Sequence, residues 1–213
     1  MFERIVNELK AHSPFTLFGA MTGVVLMMVF KGMDHDIAHK IFYILHPAHV
    51  VLSAMVTTAI YCHYTPKAQK KWQKFWKVLL IGYVGAIGIG TLSDSLIPFW
   101  GETLLEMPHA KAHIGFIEQW WLINPLVVIA IIVAYFKPAT KFPHAGHVLL
   151  STWASLFHMI MASGHDHGIS YFGVFIFLFI AVWVPCCLSD IIFPLLFVKD
   201  KSKIKNSGCG CPL

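Results

Sequence analysis

The phrase HPAHVVLS, residues 46–53, returns in the second half of the chain as HAGHVLLS, residues 144–151. The likeness extends further along the chain. The first phrase is followed by LSDSLIP at residues 92–98, and the second by LSDIIFP at residues 188–194. Because both order and spacing are kept, the sequence predicts a three-helix unit that occurs twice.

The composition places this repeat in a membrane. The 213 residues are 57% hydrophobic and 13% charged, with a mean hydropathy of +0.66. Helices satisfy their own backbone hydrogen bonds in about 30 Å of hydrocarbon, so we expect an all-α polytopic membrane protein. The six predicted transmembrane helices are Pro14–Phe30, Ile41–Tyr61, Trp76–Phe99, Leu122–Phe136, His144–Ala162 and Tyr171–Val198.

The distribution of lysine and arginine predicts the orientation. Thirteen of the sixteen fall in segments on the amino-terminal side of the membrane, and the other three are Lys31, Lys40 and Lys111. Basic residues are retained in the cytoplasm, so we expect both termini to be cytoplasmic in a multi-pass protein of the cell inner (plasma) membrane. The net charge of +5 is thereby explained as a topology signal, and no nucleic-acid partner is expected.

Three spans per unit means that the second copy crosses the membrane upside down, which is the 3+3 inverted repeat used by many secondary transporters. The predicted parts are an interfacial amino-terminal segment 1–13, a first three-helix repeat 14–99, an extracytoplasmic connection 100–121, a second three-helix repeat 122–198 and a cytoplasmic cysteine-containing tail 199–213.

The inversion predicts two matched groups of polar residues at opposite depths. They are His46, His49 and Asp94 near the outer side, and His144, His147 and Asp190 near the inner side. In each group two imidazoles lie about one turn apart on a helix, and the carboxylate comes shortly before a proline. Ionisable residues inside a membrane are costly unless paired, so the six together predict a functional site.

Histidine with aspartate is a ligand set for a transition-metal ion, and the sequence does not choose among Zn, Fe, Mn, Ni and Cu. Further potential ligands lie on both sides of the membrane. An outer set is expected to attract cations. In the inner tail, Cys209 and Cys211 are expected to meet a cytoplasmic metal acceptor. The outer set is Asp34, His35, Asp36, His39, His165 and His167. We therefore expect a proton-linked transporter of a divalent transition-metal ion, acting as a homodimer in the lipid bilayer.

Two alternatives remain open. Fourteen-residue spacings allow two b-type haems, ligated by His49 with His158 and by His63 with His144, as in a transmembrane electron carrier. These pairs do not follow the repeat. The other alternative is a His-rich membrane metalloenzyme, which requires its ligands to converge at one depth. No phosphate-binding loop appears in the sequence, so ATP hydrolysis by this chain is not expected.

The glycine-rich run GYVGAIGIG, residues 82–90, has a structural interpretation. Small residues at this spacing let neighbouring helices approach closely, so we expect a tight helix contact there.

Overall fold

The computed structural model describes residues 2–30, 32–65, 71–137, 141–164, 170–187 and 192–198. Every regular element within these ranges is helical, which confirms the all-α prediction. The helices are α1 (Phe2–Val29), α2 (His35–Tyr64), α3 (Lys71–Thr91), α4 (Ile97–Leu104), α5 (Gly115–Glu118), α6 (Trp120–Phe136), α7 (Lys141–Ser163), α8 (Tyr171–Cys187) and α9 (Phe193–Leu196). A π-helical turn, Leu92–Leu96, joins α3 to α4.

Several helices begin earlier than the sequence predicted. Helix α2 starts at His35 because the side chain of Asp34 accepts a hydrogen bond from the Asp36 N–H and caps the helix. Helix α1 starts at Phe2 and continues through Pro14, so residues 2–13 lie in the same helix as the first predicted span. These extensions matter for the site, because residues predicted in the first turn of a helix lie closer to the middle of that helix.

Helices α2 and α7 form the central pair of the bundle. Phe42 contacts His158 near one end of the pair, and Leu52 lies against Gly146 further along. Since the α7 numbering falls as the α2 numbering rises, the two helices run antiparallel. Helices α3 and α6 pack on one side of α2, and α1 and α8 pack against α7.

Two apolar clusters flank this central pair. One joins α2 to α3 and α6 through residues such as Val50, Ile87 and Ile131. The other joins α1, α2, α7 and α8 through Phe42, Met159 and others. Van der Waals packing in these two clusters holds the flanking helices against α2 and α7.

Among the described residues, two helical stretches are long and apolar enough to cross a membrane, namely His35–Tyr64 and Trp72–Leu104. Ser13–Val29, Trp120–Phe136 and Tyr171–Cys186 are shorter apolar helices. Large apolar side chains, including those of Phe18, Leu80 and Phe172, are exposed on the outside of the bundle.

The glycine run in α3 lies at a close helix contact. A Cβ added at Gly82 would lie 2.6 Å from Thr58 Oγ1 on α2 and 3.0 Å from Ile131 Cγ1 on α6. A Cβ at Gly88 would meet nothing within 4 Å. The run therefore contains positions that packing requires to be small, among them Gly82, and one that it does not, Gly88.

This difference supplies a matched test of the packing. We expect Gly82→Ala to lower the free energy of unfolding by about 1–3 kcal/mol, because the added methyl group forces α2 or α6 to move. Gly88→Ala should be neutral or stabilising by up to about 1 kcal/mol, because alanine favours helix. Thermal unfolding of the detergent-solubilised variants measures both, and equal effects would contradict the close contact.

Candidate metal centre

Asp94 lies at the centre of the site, in the π-helical turn between α3 and α4, and its side chain is fully buried. Pro98 explains the turn, because proline has no N–H to donate to the Asp94 carbonyl four residues earlier. The Ile97 N–H instead donates to the Leu92 carbonyl, five residues back. Such turns add a residue to the helix and are frequent at functional sites.

Two imidazoles of α2 bind the same carboxylate oxygen. The Oδ2 atom of Asp94 lies 2.9 Å from His46 Nδ1 and 2.6 Å from His49 Nδ1. An ionised carboxylate only accepts hydrogen bonds, so each Nδ1 carries the proton that it donates. The carboxylate thus fixes the orientation of both rings, with each Nδ1 turned towards Oδ2.

Hydroxyl groups satisfy the other oxygen of Asp94. Ser93 and Ser151 donate to Oδ1 over 2.7 and 2.9 Å. Ser155, one turn beyond Ser151 on α7, donates to the Ser93 carbonyl over 3.0 Å. Asp94 thus accepts four side-chain hydrogen bonds, and charge-assisted bonds of about 1.5–3 kcal/mol each offset much of the cost of burying the carboxylate.

The second copy of the repeated phrase meets the first at this point. The ring of His147 stacks on that of His49, with centroids 5.7 Å apart and planes 13° from parallel. The inverted repeat predicts the two groups at opposite depths, whereas His147 and Ser151 reach the site of His49 and Asp94. The antiparallel packing of α2 against α7 brings the two phrases together, with Phe42 beside His158 and His49 beside His147.

Two sets of side chains at this centre could hold a metal ion, and His49 belongs to both. The first is His46, His49 and Asp94; the second is His49, His147 and Cys186. In each set the potential ligand atoms lie within 4.8 Å of one another, and all five side chains are buried. Imidazole, thiolate and carboxylate together suit zinc, iron or copper.

The other predicted ligands are placed differently. His63 lies exposed in the last turn of α2, far along the helix from His49. The side chain of His144, together with Asp190, His165, His167, Cys209 and Cys211, lies outside the described part of the chain. The structure thus brings together His46, His49, Asp94 and His147 of the six predicted metal ligands.

A second buried acid-imidazole pair was missed from the sequence. His158 Nδ1 lies 2.5 Å from Glu102 Oε1, and both side chains are fully buried. His158 Nε2 accepts a hydrogen bond from the His113 backbone N–H over 3.3 Å. Glu102 Oε2 has no hydrogen-bond partner among the described residues. Glu102 and His158 are 56 positions apart and outside the repeat, so no local pattern joined them.

His113 connects this pair to the end of the bundle. Its ring lies 5.6 Å from that of His158, and its Nδ1 atom lies 3.3 Å from Glu118 Oε2. Burial lowers the pKa of His113 to about 4, with further lowering from the positive charge of His158, Lys111, His39 and His35. His113 is therefore neutral, and able to act as a ligand, at neutral pH.

Comparison with known proteins adds no further assignment. No protein-family model matches the sequence, and the searches of curated proteins and of solved structures found no match. The function is therefore inferred from the sequence and geometry of this chain alone.

Removal of one hydroxyl should expose the energetic cost of the buried carboxylate. We expect Ser151→Ala to lower the free energy of unfolding by about 1.5–3 kcal/mol, because Asp94 loses a charge-assisted hydrogen bond without gaining water. Ser163→Ala is the matched control. That serine is also buried on α7, but its hydroxyl donates only to the Ile160 carbonyl of its own helix. Denaturant unfolding in detergent should separate the two variants, and equal losses would contradict the special role of Ser151.

The lowered pKa of His113 predicts a pH dependence of stability. Between pH 6.5, its ordinary pKa, and about pH 4, the unfolded chain binds a proton that folded His113 does not. The free energy of unfolding should therefore fall as the pH drops through this window. His113→Asn should make this fall shallower, while replacement of the exposed His63, at the far end of α2, by alanine should leave it unchanged. Thermal unfolding with a chelator present, from pH 4 to 7, measures the slopes, and parallel curves for wild type and His113→Asn would exclude the effect.

Proposed function

We propose that this chain is an integral membrane transporter that moves a divalent transition-metal ion in exchange for protons. One observation carries the proposal: both copies of the repeated phrase contribute to a buried centre in which Asp94 holds His46 and His49, and His147 stacks on His49. A buried ionisable cluster inside an apolar helical bundle is costly, and by default it indicates a pathway or binding site.

The proposed architecture has six membrane spans arranged as a 3+3 inverted repeat. The chain would lie in the cell inner (plasma) membrane, with both termini in the cytoplasm. The two long apolar helices, the exposed apolar side chains and the bias of basic residues support a lipid environment. The short helices flanking Asp94 and Cys186 would complete spans in this arrangement.

The position of the centre supports transport. Helix α2 has 30 residues, about 45 Å in length, and His49 lies near its midpoint. Secondary transporters built from inverted repeats bind their substrates near the middle of the membrane, at the interface of the two repeats. The contact of α2 with α7 is the corresponding interface here, so movement of one half against the other would open this centre to either side.

The hydrogen bonds at Asp94 supply a chemical basis for exchange with protons. Ligands of a tetrahedral ion, with bonds of about 2.0–2.1 Å, lie about 3.3 Å apart. The Asp94 contacts with His46 and His49 are shorter, at 2.9 and 2.6 Å, and each contains a proton. In the proposed cycle each imidazole carries a second proton, on Nε2, before the ion binds. A divalent ion bound to Oδ2 and both Nδ1 atoms would displace the two Nδ1 protons, leave neutral rings protonated at Nε2, and separate these ligands by about half an ångström. Protonation and metal binding then exclude each other, and two protons balance one ion in charge.

A membrane metalloenzyme is the second candidate, because its requirement that the ligands converge at one depth agrees with the stacking of His147 on His49. An enzyme would retain its ion, whereas a transporter must release it. The haem alternative receives less support. Both ring nitrogens of His158 are engaged, by Glu102 and by the His113 N–H, which leaves neither for iron.

Two parts of the proposal extend beyond the centre. We propose that the cysteines of the tail, Cys209 and Cys211, pass the ion to a cytoplasmic acceptor. We also propose that the chain functions as a homodimer, because six short spans offer little surface for one half to rock against the other.

Transport assays in proteoliposomes test the proposal. Zn²⁺, Mn²⁺, Ni²⁺ or Co²⁺ outside vesicles that contain the purified protein should enter in parallel with proton release, measured by dyes for the metal and for pH. Asp94→Asn should reduce uptake to the background of empty vesicles, because the amide cannot balance the charge of the ion. Asp36→Asn, which removes an exposed carboxylate, is the matched control and should retain most of the uptake. Near-normal uptake by a folded Asp94→Asn variant would overturn the mechanism, and a tightly held ion without uptake would select the enzyme.

A further inference from the structure

We infer that His39, His113 and Glu118 form a second transition-metal site, at the mouth of the bundle and separate from the Asp94 centre. The inference rests on the proposed function only for its role, which is capture of the ion before transfer to Asp94. The metal site itself follows from the geometry of these three side chains.

The three residues come from different elements and converge on one point. His39 lies in the first turns of α2, His113 lies in the connection between α4 and α5, and Glu118 ends α5. Their potential ligand atoms all lie within 4.8 Å of one another. His113 Nδ1 and Glu118 Oε2 are 3.3 Å apart, which equals the separation of about 3.3 Å expected for two ligands of a tetrahedral ion.

Neighbouring groups hold the ligands in position. The Tyr43 hydroxyl donates to Glu118 Oε2, and the Tyr43 ring lies 4.6 Å from that of His39. The backbone of His113 is anchored by its hydrogen bond to His158. Such supporting contacts are typical of metal sites, where they fix the orientation of ligands.

An ordinary ion pair between His113 and Glu118 would not require His39. A hydrogen bond between His113 and Glu118 accounts for two members of the group, but it does not account for a second imidazole, that of His39, 5.7 Å away and turned edge-on. Two histidines and one carboxylate with room for further ligands are typical of zinc and ferrous sites. Glu118 is exposed and His39 half-buried, so an ion and its waters can reach the site from solvent.

The mouth site leads towards the centre. His39 and His46 are seven residues apart on α2, about 10 Å along the helix and on nearly the same face. Between them the ring of Phe42 lies 5.3 Å from both His46 and His158. An ion released from the mouth would thus have only about two helical turns to cover before reaching Asp94.

Titration of the purified, chelator-treated protein with Co²⁺ tests the inference. We expect two ions per chain. Asp94→Asn should remove the ion of the Asp94 centre and leave the other bound. His39→Ala and Glu118→Gln should each weaken the mouth site by at least about tenfold and leave the ion of the centre bound. The His109→Ala variant is the control. It loses an exposed imidazole of the connection between α4 and α5 that is not in the trio, and it should bind two ions.

The same titration separates the two hypotheses. Two ions of unchanged affinity in folded His39→Ala and Glu118→Gln variants would overturn the mouth site, as would a single wild-type ion that only Asp94→Asn removes. An ion that is lost with His39→Ala, in a protein that binds no second ion sensitive to Asp94→Asn, would support the mouth site while contradicting the proposed centre.

Discussion

The structure depends on one buried carboxylate. Asp94 has no access to water, so every lone pair that it exposes must find a donor inside the bundle. Those donors come from α2, from α7 and from its own turn, and together they fix how the two central helices pack. Apolar packing alone allows helices to slide or rotate by small amounts at little cost, whereas hydrogen bonds to a buried charge do not. Asp94 thus couples the register of the central helix pair to the geometry of the site.

The sequence was sufficient for the helical fold and for part of the centre, because both leave local signals. Helices long enough for a membrane are recognised by their apolar length, and the repeat marked His46, His49 and Asp94 as related residues. The convergence of His147 on His49 could not be predicted from spans placed by hydropathy. Hydropathy windows end where polar residues begin, but α2 continues past its apolar part because Asp34 caps it. For each residue by which a helix end is extended, an interior residue lies 1.5 Å further from that end.

Pairs that are remote in sequence were missed for a different reason. Glu102 and His158 lie in elements that the repeat does not relate, and Cys186 lies far along the chain from His49, which it joins in the second set of potential ligands. Side chains of this kind meet through tertiary packing, which a single sequence does not encode in any local spacing. A signal did exist for the mouth site, since His39 and His46 are seven residues apart and therefore share a helix face. That signal became meaningful only when His113 and Glu118 were found beside the same face.

Burial increases along this face of α2, and it gives the two sites different chemistry. At the mouth site, water can replace a side chain that leaves the ion, so exchange of an ion requires little rearrangement of the protein. Asp94 is fully buried, and in the proposed cycle an ion would enter as protons leave the imidazoles and would leave as protons return. The first site therefore suits rapid capture and the second suits coupling to a proton gradient. Between the mouth site and the Asp94 centre, Glu102 and His158 form a buried acid-base pair. One carboxylate oxygen of Glu102 has no hydrogen-bond partner among the described residues. This pair would therefore place a proton-binding group on the proposed route of the ion.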